Sequence, residues 1–193
     1  MSPKTIKILV ITVCTVLSGQ QGAFSQSFEW VSESKERIEK MQNLELPANC
    51  GVDIIDKTVQ SCKEIMDVTL AVSPIITNSY LSYFDYCQNT DSVDTNRTSP
   101  SLDELYGLGK EIAQLAGKLA ELTSSVTNIT DIVKTMTAKE VLSSSSNVKY
   151  LTKSLPSVGK ELYLDFKLLG EMIKDKTGDV KFMEQIDNLF SWL

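Results

Sequence analysis

The sequence predicts an all-α protein, an extended and mostly antiparallel helical bundle with long coiled-coil-like helices and no β-sheet. A seam of large apolar residues repeats at alternating gaps of three and four over more than four heptads. A second apolar stripe with helical spacing follows it toward the C-terminus. A third amphipathic segment precedes both, so several striped helices are available to cover one another.

The first 25 residues have the layout of a secretory signal peptide. Lys4 and Lys7 precede an apolar core, ILVITVCTVL, and small residues stand before a predicted cut between Ser25 and Gln26. The alternative is an uncleaved anchor, but the apolar run is short for a membrane-spanning helix. We therefore expect an exported protein, periplasmic or extracellular.

Composition and charge argue against several classes of function. Cleavage would remove Lys4 and Lys7 and no acidic residue, which changes the net charge from −6 to −8. An acidic chain without a basic stripe is a poor match for nucleic acid or for an anionic membrane surface. The chain has no histidine, the usual general base and the commonest zinc ligand. We expect no enzymatic activity, no cofactor and no metal site.

The mature chain begins with an N-terminal helical region, residues 26–87. Residues 27–46 have an apolar side and a charged side, and Pro47 to Gly51 interrupt the pattern. A second helical pattern then runs to Pro74. Proline cannot donate a backbone hydrogen bond, so the chain either turns there as a hairpin or continues as one kinked helix.

The cysteines of the mature chain bear on that alternative. Cys62 and Cys87 stand at similar distances on either side of Pro74. A hairpin would place them side by side, whereas a straight helix would separate them by about 37 Å. A disulfide requires Cα atoms within about 7 Å, so a Cys62–Cys87 bond, which we favour, implies the hairpin. Pairing of either cysteine with Cys50, or three free thiols, are the alternatives.

Residues 88–101 form a polar segment without periodicity, long for a connection between helices. It contains a glycosylation sequon at Asn96, and a second sequon occurs at Asn128. Asp91 and Asp94 lack the rest of a calcium-binding loop, so we interpret them as loop residues.

An aromatic patch precedes the polar segment. Because aromatic residues and long loops often carry binding, we predict that the two together form the partner-binding surface. The alternative is that Tyr80 and Phe84 belong to the core and the other tyrosines border it. The patch comprises Tyr80, Tyr83, Phe84 and Tyr86.

A long helix is predicted to begin after Ser101, which forms a capping box with Glu104. It should continue to about Met136, a length near 50 Å at roughly 1.5 Å per residue. Its apolar residues form the helix seam: Leu105, Leu108, Ile112, Leu115, Leu119, Leu122, Val126, Ile129, Val133 and Met136.

The C-terminal region, residues 102–193, continues beyond this helix. Ser143 to Ser146 predict a flexible joint. The second stripe then runs from Val148 to Ile173, with Pro156 as a start or a kink. Gly178 stands at a C-cap-like position, and a short last helix follows it.

The helix seam could pack within the chain or against another protein. The flanking positions mix Lys, Ala, Thr and Ser, and so carry no clear code of paired charges for a partner helix. We therefore favour internal packing of the seam against the stripe from Val148 to Ile173 as an antiparallel pair. An open seam, free for a second copy or a different protein, is the alternative.

The leader end "AFSQ", the early Trp30 and the segment "SLDELYGLGKEIAQLAGKLAEL" after a polar loop resemble the TrbJ-like minor pilus components of type IV secretion systems. The resemblance concerns the layout of the mature chain and carries over no site residue. It implies a non-enzymatic periplasmic protein that assists assembly of a conjugation apparatus. Two other functions fit the sequence, a secreted helical ligand or effector of a host or receptor protein, and an envelope scaffold that binds itself.

Overall fold

The structure, a computed structural model, describes residues 29–88 and 100–190, and within them it is helical without any β-strand. The all-α prediction is confirmed. The signal peptide predicted for 1–25, the sequon at Asn96, and Asp91 and Asp94 lie outside the described residues. The helices are α1 over 29–42, α2 over Asp53–Gln88, α3 over Leu102–Val133, α4 over Ala138–Thr177 and α5 over Lys181–Leu189.

α2 and α4 run parallel in a constant register. Their side-chain hydrogen bonds join positions 91 or 92 apart, from Asp56 with Asn147 at one end to Tyr83 with Asp175 at the other. α3 is antiparallel to α4, because residues 134–137 alone connect the two. The long helices therefore alternate in direction along the chain.

α4 is the central helix of the bundle. It packs on α2, α3 and α5. It also contacts α1 in the antiparallel sense, since Arg37 within α1 bonds Glu161 whereas Ala48 beyond α1 bonds Asn147. From Tyr150 to Ile173 most of its side chains are buried. Polar groups of α4 in this stretch therefore need partners from neighbouring helices.

The predicted break at Pro47 to Gly51 is confirmed. Helical structure ends at residue 42 and resumes at Asp53. Gly51 has a φ of 81°, a left-handed conformation that glycine adopts without steric cost. The carboxylate of Asp56 accepts hydrogen bonds from the backbone N–H groups of Cys50 and Gly51, which fixes the entry to α2.

Of the two alternatives at Pro74, the single helix is right and the hairpin is wrong, because α2 continues through Pro74 as one helix. The proline still removes one helical hydrogen bond. Its neighbours Val72, Ser73 and Ile76 are buried. Burial of these residues offsets the local preference of proline, since tertiary packing supplies most helical stability in proteins.

The flexible joint at Ser143 to Ser146 is also wrong, because these serines lie inside α4. The chain turns earlier, at residues 134–137, and Thr137 forms a capping box with Glu140 that begins α4. The hydroxyl of Ser143 donates to the carbonyl of Glu140, and that of Ser145 to the carbonyl of Leu142. Hydroxyl groups bonded to the preceding turn are compatible with a helix.

The two helix ends that were predicted from capping residues, the start of α3 and the end of α4, are confirmed. Ser101 and Glu104 form the predicted capping box. Gly178 ends α4 with a φ of 70° and donates its N–H to the carbonyl of Lys174. Every residue of the helix seam, from Leu105 to Met136, is buried or half-buried. The seam thus faces the interior of the chain, as the internal alternative requires.

An aromatic cluster closes the end of the bundle where α3 begins. Phe182 of α5 packs edge-on against Tyr106 and lies 5.3 Å from Phe166 between ring centroids. Phe190 adds edge-to-face contacts with Phe166 and Tyr163. These rings attach α5 to α3 and α4.

Candidate functional site

Two carboxyl groups lie in the middle of α4, inside the bundle. Glu161 and Asp165 stand one helical turn apart, and both residues are 0% exposed. Carboxylates are almost never fully buried unless they are paired or hydrogen-bonded. This carboxyl pair is the most unusual chemical feature of the described residues.

Glu161 connects α4 to α1. The hydroxyl of Ser34 donates to its Oε1, and Nε of Arg37 lies 2.9 Å from its Oε2. Arg37 also reaches Glu33 one turn away, at 3.3 Å. The guanidinium of Arg37 therefore bonds two carboxylates, the buried one of Glu161 and the exposed one of Glu33.

Asp165 connects α4 to α2. The hydroxyl of Ser73 donates to its Oδ2 over 2.5 Å, and both side chains are buried. Oδ1 of Asp165 has no hydrogen-bond partner among the described residues. The carboxyl group is therefore half satisfied, which is costly for an ionised group in a dry interior.

The surroundings favour protonation of the pair. Burial raises the pKa of Asp165 well above its ordinary value, the charge of Glu161 raises it further, and Ser73 and Arg37 lower it only in part. Burial also raises the pKa of Glu161, against the hydrogen bonds from Ser34 and Arg37 and the charge of Arg37. A carboxyl pair that shares one cation resists carrying two negative charges.

The row of hydroxyl–carboxylate bonds continues toward the C-terminal end of α4. The hydroxyl of Tyr80 donates to Oε2 of Glu171 over 2.6 Å, and that of Tyr83 donates to Asp175. Nζ of Lys176 lies 5.0 Å from the centre of the Tyr83 ring. α4 thus presents four carboxylates to hydroxyl groups of α1 and α2.

Polar contacts also mark the opposite end of the α2–α4 interface. The thiol of Cys62 lies 3.1 Å from the hydroxyl of Ser154, in the buried interior. Asn147 donates to the backbone carbonyl of Ala48 and to Asp56. Such buried polar contacts fix helix register, as single polar core positions do in coiled coils.

The enclosed pair can hold and release a proton, but it lies behind packed helices rather than in a cleft. The described residues contain no group of three or more Cys, Asp or Glu side chains placed to bind a metal ion. Among 29–88 and 100–190, none of the helices combines the length and apolar character of a membrane span.

Exposed apolar side chains collect where α2 and α4 begin. Asn147 ties the α1–α2 connection to α4 there, so these elements share one end of the bundle. We name this surface the apolar end. Its residues, with their exposed fractions, are Leu46 (48%), Ile54 (40%), Val141 (36%) and Leu142 (76%).

A shallow groove of about 520 Å³ runs between α2 and α3. Ile65, Val68 and Leu122 supply apolar lining, and Glu64 and Lys118 are among its polar residues. Its apolar lining is mostly buried. The groove therefore offers less exposed apolar surface than the apolar end.

The predicted Cys62–Cys87 disulfide is wrong in this fold. Both cysteines belong to the continuous α2, where their separation along the helix is about 37 Å at 1.5 Å per residue. Cys62 is a buried free thiol and Cys50 a half-buried one. Burial raises the pKa of both thiols.

The aromatic patch was predicted to face a partner, but not all of its rings are exposed. Tyr80 and Tyr83 are buried, and their hydroxyl groups bond carboxylates of α4. The core alternative is therefore right for Tyr80. The side chains of Phe84 and Tyr86, like that of Asn128 in the second sequon, lie outside the described residues.

Sequence reasoning missed Glu161 and Asp165, although a signal was present. Strict alternation of three and four along the second stripe leads from Leu162 to Asp165, whereas the apolar Phe166 stands one position further on. Asn147, Ser154 and Glu161 also follow one another at seven-residue spacing. A polar residue that recurs at core positions predicts buried polar contacts.

Comparison with protein-family models, with curated proteins and with solved structures found no match.

Proposed function

We propose that this chain is an exported, non-enzymatic helical protein that acts by contact with other proteins through its apolar end. One observation carries the proposal. Leu142 is 76% exposed at the same end of the bundle as three further exposed apolar side chains, while the helix seam is turned inward. Exposed apolar side chains that share one end of a protein are a candidate interaction surface.

The charges around the apolar end favour a protein partner over a lipid surface. Asp53 and Lys57 form an exposed pair at the start of α2. Lys139 and Glu140 flank the exposed side chains at the start of α4. An apolar centre with charges of both signs around it matches a protein interface, whereas anionic membranes attract basic surfaces.

Assembly of a conjugation or secretion apparatus is the role we propose first, supported by the signal peptide layout and the resemblance to TrbJ-like pilus components. A secreted ligand or effector would use the same surface on a host or receptor protein. A self-associating scaffold would also have to use the apolar end, because the helix seam is occupied within the chain.

A photo-crosslinking residue at position 142, in the full chain made by its native cells, tests the proposal. The control carries the same residue at Glu111, an exposed position on α3 away from this end. Adducts with secretion or pilus subunits that form at 142 alone would support the assembly role. Adducts with a host protein or with a second copy would support the ligand or the scaffold instead. Equal adducts at both positions would contradict the apolar end as the contact surface.

A further inference from the structure

Three helices meet at the buried carboxyl pair. Glu161 binds Ser34 and Arg37 of α1, and Asp165 binds Ser73 of α2. We propose that the pair is a proton-dependent latch. With one proton on the two carboxyl groups, α1 is held closed against α2 and α4. Loss of that proton to solvent loosens α1.

The balance of charge at the site gives the latch its dependence on pH. Arg37 of α1 is the cation at the site, and it bonds Glu161. With one carboxyl group protonated, the site is neutral. With both ionised, it carries one uncompensated negative charge inside the bundle, and Oδ1 of Asp165 has no donor among the described residues to stabilise it. An unpaired charge in a dry interior is strongly destabilising.

Within 29–88 and 100–190, no second cation bonds the pair. α2 contributes the neutral hydroxyl of Ser73, and the next titratable groups along that interface are Tyr80 and Tyr83, which bond other carboxylates. α3 turns its apolar seam inward, and α5 contributes Phe182 and the Phe190 that follows it to the aromatic cluster. On α1, Glu33 shares Arg37 with the pair.

α1 is the element that we expect to respond. Its described part is short, 29–42, and its polar attachment to α4 depends on Glu161 together with the contact of Trp30 with Lys167, 5.2 Å from Nζ to ring centre. α2 is held along its whole length, by Cys62 and Tyr80 among others. Deprotonation should therefore free α1 before it separates α2 from α4.

The direction of the pH effect follows from the raised pKa values of Asp165 and Glu161. A carboxyl group with a folded pKa above its unfolded value contributes stability that is fully present below the unfolded pKa. That contribution is lost as the pH rises through the folded pKa. Closure of α1 is thus strongest in acid and weakens on the alkaline side of the transition.

Hydrogen exchange followed by mass spectrometry on the full chain tests the latch. We expect exchange in 29–42, corrected for the intrinsic rate at each pH, to accelerate by up to about tenfold per pH unit through the transition. Amides in the middle of α4 should keep their protection. A loss of protection in all helices together would overturn the latch.

Asp165→Asn removes one ionisable group and keeps an acceptor for Ser73, so we expect it to abolish the pH step and leave α1 closed. Glu161→Gln should abolish the step too, and serves as a second variant if the first does not fold. Glu171→Gln, on the same interface, is the matched control and should keep the step. A step that survives in both Asp165→Asn and Glu161→Gln would overturn the proposal.

Discussion

Ser73 and Asp165 form a 2.5 Å hydrogen bond between two parallel helices, and neither side chain is exposed. Their positions differ by 92, the same offset that joins Cys62 to Ser154 and Tyr83 to Asp175. The bond therefore belongs to a register that extends along the whole α2–α4 interface. A slip of one residue would break every bond of the series at once.

Ser73→Ala should destabilise the fold, because it removes the donor to Oδ2 and leaves a buried carboxyl group without that partner. We expect a loss of about 1–3 kcal/mol in the free energy of unfolding. The bond lowers the pKa of Asp165, so it favours the ionised form, and the loss should be larger at high pH than in acid. Denaturant unfolding at several pH values measures this. Ser82→Ala, exposed on the same helix, is the control; an equal loss at every pH would contradict the assignment.

Two glycines of α3 should respond oppositely to alanine. A Cβ at Gly109 would lie 2.9 Å from Cζ of Phe182, whereas nothing lies within 4 Å of a Cβ at Gly117. Gly117→Ala should gain stability of up to about 1 kcal/mol from helix propensity. Gly109→Ala should lose that gain, because the ring that attaches α5 must move. Thermal unfolding compares the two; equal stabilisation would show that α5 does not depend on this close approach.

α3 could be predicted from the sequence because its signals are local. The alternation of three and four and the Ser101–Glu104 capping box lie within the helix itself. The start of α4 has the same signal, Thr137 followed by Glu140, but the nearby serine tract has the composition of a joint. Composition was misleading there, since serine hydroxyl groups can bond the preceding turn.

The carboxyl pair could not be derived from local pattern in the same way. Its partners Ser73 and Ser34 lie 92 and 127 positions from Asp165 and Glu161. A charged residue on a helix is usually solvated, so a single sequence suggests exposure. The polar positions of the second stripe indicate that polar contacts exist, but only the folded arrangement identifies their partners.

The serine tract provides a direct test of the continuous α4. Ser145 is exposed within the helix, so Ser145→Ala should be neutral or slightly stabilising and Ser145→Gly should cost about 0.5–1 kcal/mol relative to alanine. Unfolding by denaturant measures both. In a flexible joint, glycine and alanine would be equivalent, and that result would contradict a helix through this position.

The pKa of Asp56 is shifted downward, opposite to the pKa values of the buried pair, so its effect on stability should have the opposite dependence on pH. Burial raises its pKa, but the hydrogen bonds from Cys50 and Gly51 outweigh this and leave the pKa lowered. Its contribution to stability is therefore present above the unfolded pKa and is lost as the pH falls through the folded pKa. Asp56→Asn should lower the unfolding midpoint at neutral pH and converge with the parent in acid. Asp53→Asn, an exposed neighbour, is the control; a difference that persists in acid would exclude this origin.

The thiols test the path of α2 through Pro74. Cys62 is buried and Cys50 half-buried, so an alkylating reagent should modify Cys50 first and reach Cys62 only when the bundle opens. Burial also raises the pKa of the Cys62 thiol, which reduces the reactive thiolate at neutral pH. The measurement is peptide mass mapping after brief alkylation of the native and the denatured protein. If α2 were instead a hairpin closed by Cys62–Cys87, Cys62 would resist alkylation even in denaturant and would become reactive only after reduction. A single reducing step thus separates the continuous helix, in which Cys62 is a thiol, from a hairpin closed by the Cys62–Cys87 disulfide.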